Sequence, residues 1–184
     1  ENSVWAIVVA AGSGSRFGGP KQFVDLCGVP VLTRSVHTAS DICDGVVVVV
    51  PVAEVADAES QLAATFSSDL GSKRIVVVAG GDTRSASVRC GLAVLPDGAT
   101  HVLVHDGARP LASRALYTAI IDRLLDGEIG VIPCIPVVDS LRWREGGAID
   151  RNAVVAVQTP QGFDAAILRS VHQKGSEWTD DAGL

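Results

Sequence analysis

The sequence contains no methionine and a single tyrosine, and its four cysteines (Cys27, Cys43, Cys90 and Cys134) form no C-x-x-C pair. Thiols so widely spaced are typical of reduced, buried small residues, so we expect a cytoplasmic protein. No apolar run approaches the ~18 residues of a membrane-spanning helix, and the N-terminus lacks the basic start and apolar segment of a signal peptide. We therefore expect no membrane partner.

The absence of methionine also leads us to expect that the sequence is not a complete translation product. Its last residues, Asp180 to Leu184, resemble the opening of a helix rather than its end. We therefore expect that the C-terminal end is missing. A length of 184 residues predicts one domain over residues 1–184.

Positive charge is scarce as well, since the formal net charge is −6. This balance argues against non-specific binding to nucleic acid. Any phosphate must therefore be recognised locally, by a few placed cations. Because 47% of the residues are hydrophobic, the chain can bury a sizeable core.

Short runs rich in Val and Ile alternate with helical patterns along the chain. The runs predict strands over residues 4–10, 45–50, 74–79, 101–105 and 130–135. The segments between them predict helices over residues 31–40, 52–66, 85–95 and 114–125, the last capped by Ser113. Continuous apolar strands separated by helices indicate an α/β fold with a mostly parallel sheet covered on both faces.

Residues 136–157 break this rhythm. Two apolar segments flank Gly146-Gly147, which predicts a hairpin that protrudes from the sheet as a β-arm. Trp143 would be exposed on such an arm, so we expect the arm to join two copies of the chain as a homodimer. The alternative is that the arm folds back on its own domain.

The first strand runs directly into a loop that carries two cations, Arg16 and Lys21, and no carboxylate. The loop also holds four glycines, Gly12, Gly14, Gly18 and Gly19. Glycines let backbone N–H groups approach a polyanion, and the cations neutralise it. The segment therefore predicts a nucleoside triphosphate site, the alternative being a turn that needs no ligand.

Two better-known phosphate loops fit this segment poorly. Pro20 stands where a Walker A loop has the glycine before its lysine, and Phe17 stands where a dinucleotide fingerprint has its third glycine. A nicotinamide-binding module is thus a weak alternative.

Polar loops follow three further strands, over residues 80–87, 106–110 and 136–140. Ligands of open parallel sheets bind beyond the carboxyl ends of the strands, so we expect these loops to form one site. Asp106 is placed to hold Mg²⁺, which takes one or two carboxylates together with substrate phosphates, and Arg109 offers a fork for a second phosphate. The alternatives are a turn cap for Asp106 and a surface ion pair for Arg109.

Four other polar residues have two interpretations. Asp82 and Ser87 could hydrogen-bond a base edge, or cap the helix that begins near Ser85. His105 fits a packed histidine at a strand end better than a catalytic base, because no Ser/His/Asp constellation surrounds it. Arg151 on the arm is explained only if it reaches a site, such as that of a neighbouring subunit.

Seven segments resemble, in order and over nearly the whole chain, the 2-C-methyl-D-erythritol 4-phosphate cytidylyltransferase family. They are AAGSGSRFGGPKQ (10–22), GGDTRSASV (80–88), VHDGARP (104–110), PVVDSLR (136–142), DRN (150–152), QTPQGF (158–163) and WTDDA (178–182). Each segment is weak alone, and the ordered set is specific. The resemblance implies a Rossmann-like three-layer sandwich.

The resemblance also implies the reaction of CTP with a sugar-alcohol phosphate, with Mg²⁺, in a homodimer whose arms reach each other's sites. Arg16 and Lys21 match the catalytic cations, and Asp106 matches the aspartate near metal and substrate. The nucleotide-binding positions are Ala10, Ala11, Gly12, Gly14, Gly81, Asp82 and Ser87. The substrate-binding positions are Asp106, Arg109, Ser140, Arg151, Thr159 and Thr179.

Three departures and two rival functions stay open at this point. Gly107 and Ser140 stand where the family usually has Ala and Thr, and the sequence ends at Leu184, before a lysine- and aspartate-bearing segment that the family has. A ribitol-5-phosphate cytidylyltransferase shares the fold and the reaction type. A non-catalytic nucleotide-binding relative is the other rival.

Overall fold

The structure, a computed structural model, describes residues 2–12, 14, 18–66, 74–173, 181 and 183. The strands within these residues are β1 (Val4–Val9), β2 (Asp25–Leu26), β3 (Val29–Pro30), β4 (Gly45–Val50), β5 (Arg74–Ala79), β6 (His101–Asp106), β7 (Gly130–Val131), β8 (Cys134–Pro136), β9 (Leu141–Arg142), β10 (Ala148–Ile149), β11 (Val155–Val157) and β12 (Gln161–Asp164). The helices are α1 (Val31–Ile42), α2 (Val55–Phe66), α3 (Arg84–Ala93), α4 (Arg114–Leu125) and α5 (Ala165–Gln173).

Six strands form the main sheet in the order β5-β4-β1-β6-β12-β7. The strands β5, β4, β1 and β6 pair in parallel, so that Ile7 lies opposite Val47 on one side and Val104 on the other. Strand β12 runs antiparallel to both β6 and β7. The mostly parallel α/β sheet predicted from the sequence is confirmed.

Apolar side chains of the central strands point alternately to the two faces of the sheet. Ala6 and Val8 of β1 pack in a core with residues of α1, α2 and α4, whereas Trp5 and Ile7 pack in a second core with residues of α3 and α5. Each strand must be apolar on both faces, which explains the continuous runs in the sequence.

The prediction of a single fifth strand over residues 130–135 is wrong, because this segment forms two strands in different sheets. Gly130–Val131 pairs with β12 in the main sheet, and Cys134–Pro136 pairs with β11. Pro133 lies between them and has no N–H to donate to a ladder. Its carbonyl instead accepts from the backbone N–H of Gln158 (2.8 Å).

The predicted arm is present as two antiparallel pairs, β8 with β11 and β9 with β10. Its pairing begins at Cys134, two residues before the predicted start. Several large apolar side chains of the arm are exposed, namely Ile135, Val138, Trp143 and Val155. Trp143 is 62% exposed, as the sequence predicted for it.

Two smaller findings concern thiols and helix ends. All four cysteines are free, and Cys43 is buried as predicted. Cys27 and Cys134 are exposed and Cys90 is half-buried, so the prediction of buried thiols is wrong for these three. Ser113 caps α4 as predicted, whereas α3 is capped by Thr83, whose hydroxyl accepts from the N–H of Ala86 (3.0 Å).

Among the described residues, no helix has the length and apolar character needed to cross a bilayer.

The position of β6 at the centre of both cores gives a test of the fold. Leu103 is fully buried, so Leu103→Ala should lower the free energy of unfolding by about 2–5 kcal/mol through lost burial and a residual cavity. Leu111→Ala makes the same chemical change at a side chain that is 86% exposed. Urea unfolding of both variants checks this, and equal losses would contradict the packing described.

Candidate active site

Three polar loops meet at one edge of the sheet, beyond the carboxyl ends of parallel strands. They are residues 10–12 and 14 after β1, residues 80–83 after β5, and residues 106–110 at the end of β6. This common edge is where open parallel sheets bind ligands. The fourth predicted loop, residues 136–140, follows β8 and therefore belongs to the arm rather than to the main sheet.

The loops after β1 and β5 are in close contact. The N–H of Ala10 donates to the carbonyl of Val49 (2.7 Å), which continues the sheet into the first loop. A Cβ added at Gly80 would lie 2.4 Å from the Cβ of Ala11 and 2.8 Å from the Oγ of Ser87. Only glycine fits at position 80, and the predicted nucleotide positions 10, 11, 81 and 87 are brought together.

Ser87 and Asp82 differ in their surroundings. The Ser87 hydroxyl is buried and lies within hydrogen-bonding distance of the carbonyls of Gly81 (3.2 Å) and Thr83 (2.9 Å). Ser87 thus fixes the loop after β5 from inside helix α3. Asp82 is exposed at the same edge.

The side chain of Gln22, which is 3% exposed, fixes the loop after β1 by hydrogen bonds. Its Nε2 donates to the carbonyls of Ala10 (2.8 Å) and Gly12 (3.0 Å). Gly14 has φ +64°, and a Cβ there would lie 1.8 Å from the carbonyl oxygen of Gly19. Lys21, which directly precedes Gln22 in the chain, has an exposed side chain. Sequence reasoning gave Gln22 no role, because its partners are main-chain atoms.

Asp106 lies between two arginines at this edge. Arg109 Nε is 3.1 Å from Asp106 Oδ2, and Arg84 Nε is 3.5 Å from Asp106 Oδ1. Arg109 also donates from Nη1 to the side-chain oxygen of Gln158. Arg109 was predicted as a site residue, and Arg84 was not.

Arg84 reaches from Asp106 to a second, buried carboxylate. Its Nη1 is 2.6 Å from Oδ2 of Asp181, whose Oδ1 lies 3.0 Å from Nε2 of His172. Burial alone would raise the pKa of the Asp181 carboxyl, but the hydrogen bond from His172 and the charge of Arg84 outweigh it and lower that pKa. Asp181 and His172 had no predicted role, since their contact joins residues without any local pattern.

Thr159 and His105 form a buried hydrogen-bond chain beneath Asp106. Nε2 of His105 lies 3.1 Å from the carbonyl of Arg109, which can only accept, so Nε2 carries the proton. The Thr159 hydroxyl accepts from the N–H of Asp106 (3.2 Å) and donates to Nδ1 of His105 (3.0 Å). His105 is therefore neutral and occupied at both nitrogens, as expected of a packed histidine.

The remaining predicted residues lie on the arm or outside the described part of the chain. Ser140 is exposed on the arm, and Arg151 donates from Nη1 to the carbonyl of Val138 within the same arm (2.7 Å). Arg16 and Thr179 lie outside the described residues, so their assigned roles stay predictions.

The fold and the meeting of its loops define an α/β protein with a candidate ligand site at the carboxyl edge of its sheet. A model of the family described as 2-C-methyl-D-erythritol 4-phosphate cytidylyltransferase matches residues 4–184. The chain belongs to this family of nucleotidyltransferase enzymes, which confirms the resemblance seen in the sequence.

Two similar proteins cover nearly all of this chain. A 2-C-methyl-D-erythritol 4-phosphate cytidylyltransferase of Nocardia farcinica is 41% identical, with 100% of this chain and 80% of that protein covered. A bifunctional enzyme IspD/IspF of Nitratidesulfovibrio vulgaris is 40% identical over 98% of this chain, which spans 49% of that relative, or about half its length.

Solved structures agree with the fold. The 4-diphosphocytidyl-2C-methyl-D-erythritol synthase of Anaerococcus prevotii superimposes with a TM-score of 0.82 at 28% identity, covering 98% of this chain and 81% of that one. The 2-C-methyl-D-erythritol 4-phosphate cytidylyltransferase of Thermus thermophilus superimposes with a TM-score of 0.74 at 31% identity, covering 100% of this chain and 82% of that one.

The buried His105 makes stability depend on pH. Burial lowers its pKa to about 4 in the folded protein, against about 6.5 in an unfolded chain. Between these values the unfolded chain binds a proton that the folded protein does not. The free energy of unfolding should therefore fall by about 3 kcal/mol from this group as the pH drops from 7 to 4.

Urea unfolding at several pH values checks this, with His105→Gln as the comparison. The variant should be less stable at pH 7 but show a shallower fall between pH 6.5 and 4. Equal slopes for the two proteins, or an NMR titration of His105 near pH 6.5, would contradict the assignment.

Proposed function

We propose that the protein joins CTP and 2-C-methyl-D-erythritol 4-phosphate into 4-CDP-2-C-methyl-D-erythritol and releases pyrophosphate, a step of non-mevalonate isoprenoid precursor biosynthesis. The observation that carries the proposal is the meeting of the loops after β1, β5 and β6 at one sheet edge, within a chain of this family. A cytoplasmic location is part of the proposal, because all four cysteines are free thiols.

The chemistry follows from the groups at the edge. An oxygen of the acceptor phosphate attacks the α-phosphorus of CTP, a new P–O bond forms, and the bond to the β-phosphate oxygen breaks as pyrophosphate leaves. Because the attacking phosphate is already an anion, no general base is needed, in keeping with the neutral, fully bonded His105. Charge on the phosphoryl oxygens is what the protein must stabilise.

Each group then has an assigned role in this proposal. Lys21 and Arg16 stabilise the triphosphate, and Arg109 holds the acceptor phosphate together with Ser140, Arg151 and Thr179. Thr159, whose buried hydroxyl bonds to Asp106 and His105, instead fixes the main chain beside Asp106. The nucleoside lies against the loops that Gln22 and Ser87 fix, at positions 10–12, 14, 81 and 82. The short distance between Ala11 and Gly80 supports that placement.

Magnesium fits this site as a partner of the nucleotide. The described residues hold no group of three or more His, Cys, Asp or Glu able to bind a metal by themselves. Asp106, with a side chain 33% exposed, supplies one carboxylate, and Mg²⁺ commonly takes one or two together with substrate phosphates. Bound there, the ion would neutralise charge on the triphosphate.

The decisive experiment is Mg²⁺-dependent pyrophosphate release on full-length protein. Each of the four nucleoside triphosphates is offered with methylerythritol 4-phosphate, ribitol 5-phosphate or no acceptor. Release with CTP and methylerythritol phosphate alone supports the proposal. Release with ribitol phosphate instead identifies the sister activity, and no release with any pair leaves a nucleotide-binding relative.

Lys21 tests the role of the cations in the first loop. Its side chain is exposed beside the nucleotide loops, so Lys21→Ala should leave the melting temperature unchanged. Loss of one group that stabilises transition-state charge should lower kcat by roughly 10²-fold or more. Arg123→Ala, an exposed cation at the far end of α4, should keep wild-type turnover. Unchanged turnover in Lys21→Ala would remove Lys21 from the mechanism.

We further propose that the exposed arm joins two chains and carries Arg151 and Ser140 into the partner's site. The apolar side chains exposed on the arm support this, since a monomer gains nothing from leaving them in water. Sedimentation of the wild type should give a dimer, and Trp143→Ser should shift it toward monomer.

Mixed dimers distinguish a crossing arm from one that serves its own chain. Lys21→Ala and Arg151→Ala chains are each expected to be nearly inactive. If the arms cross, a mixed dimer has one intact site, and random mixing should restore about a quarter of wild-type activity. No recovery after exchange would mean that each arm stays with its own chain.

A further inference from the structure

A single guanidinium, that of Arg84, faces two carboxylates at unequal distances. Nη1 of Arg84 is 2.6 Å from Oδ2 of Asp181, whereas Nε is 3.5 Å from Oδ1 of Asp106. The close, charge-assisted contact is the one with Asp181. Arg84 is therefore committed mainly to the buried carboxylate and only loosely to the one at the sheet edge.

Asp181 is held in place on several sides. Its side chain is fully buried, His172 Nε2 lies 3.0 Å from Oδ1, and its own N–H donates to Oε1 of Gln161 (3.3 Å). Arg84, His172 and Gln161 come from α3, α5 and β12 in turn. The carboxylate thus has a fixed position from which to compete for Arg84.

Asp106 is placed differently. A third of its side chain is exposed, and its Oδ2 already pairs with Arg109 at 3.1 Å. A carboxylate flanked by two guanidinium groups attracts a further cation only weakly unless their charges are balanced elsewhere. The charge of Arg109 faces the solvent edge, whereas that of Arg84 is balanced by Asp181.

We propose that Asp181 is a positioning residue that draws the Arg84 guanidinium away from Asp106, and so keeps the Asp106 carboxylate available to the divalent cation of the nucleotide complex. This inference rests on the proposed function, because it deepens the role of Asp106 at that site. Asp181 touches none of the reacting groups in this scheme and acts through Arg84.

Two substitutions are expected to change cation binding in opposite directions. Asp181→Asn removes the competing charge, Arg84 pairs fully with Asp106, and the Kd for the cation should rise roughly three- to tenfold, the scale of one charge interaction at a partly exposed site. Arg84→Gln removes the positive neighbour, so the Kd should fall. In the double variant, Asp181→Asn should have no further effect.

The measurement is Mn²⁺ binding to the protein with saturating CTP and no acceptor, followed by water-proton relaxation, which is enhanced for Mn²⁺ on the protein. No turnover is needed for this readout. Asp122→Asn, the same change at an exposed position on α4, should keep the wild-type Kd. Melting temperatures report whether each variant is folded.

An unchanged Kd in Asp181→Asn would overturn the inference, as would weaker binding in Arg84→Gln, since a purely structural role lowers affinity in both. If Asp181→Asn does not fold, the direction of change in Arg84→Gln decides alone. Wild-type pyrophosphate release, measured in parallel, separates the two proposals. Its absence counts against the proposed function, whereas its presence with an unchanged Kd in Asp181→Asn counts against the positioning role.

Discussion

Parallel pairing of the central strands is the constraint on which the rest of the molecule depends. Because β5, β4, β1 and β6 run in the same direction, their following loops emerge at one edge. Both faces of β4, β1 and β6 are buried under helices, so the polar groups of the chain are driven to the strand ends. The position of the site at this edge is a consequence of the topology.

Charge at the edge is arranged by pairing rather than by excess. The chain is acidic overall, with a formal net charge of −6, yet Asp106 faces two guanidinium groups and Lys21 is exposed close to the loop after β1. In the proposed function, a local cluster of this kind recognises phosphate without giving the whole surface an affinity for polyanions. The buried Asp181 carboxylate continues this charge pairing into the interior, because it balances the charge of Arg84.

The sequence predicted the fold best where a strand is buried on both faces. The bounds of β4 agree with the prediction, since Gly45–Val50 is buried throughout and has no polar residue to blur its ends. The bounds of β5 agree as well, although this strand is only partly buried and begins at the exposed Arg74. The short β12 was missed because Gln161 and Asp164 give it no apolar pattern. Pro133 divides the predicted fifth strand because proline has no backbone N–H to donate to a strand ladder.

The candidate site was predictable only where its residues lie in local motifs. Ala10 directly follows β1, Asp106 ends β6 and Gly81 lies two residues beyond β5, and the structure brings these loops together. Gln22 bonds to main-chain carbonyls, and Arg84 meets an aspartate 97 positions away, so neither contact has a local signal. Such residues are found only when the fold is known.

Two buried ionisable side chains near the edge show how the same environment gives opposite charge states. Burial of the His105 ring outweighs the charge of Asp106 and the hydrogen bond to Arg109, so the pKa of His105 falls to about 4. Asp181 has two donors, Arg84 and His172, so the ionised form prevails despite burial. The neutral ring orders the main chain around Asp106 without adding charge, and the buried carboxylate adds the one negative charge that the arginine-rich edge lacks. His105 thus helps to set the geometry of the site, and Asp181 helps to set its electrostatic balance.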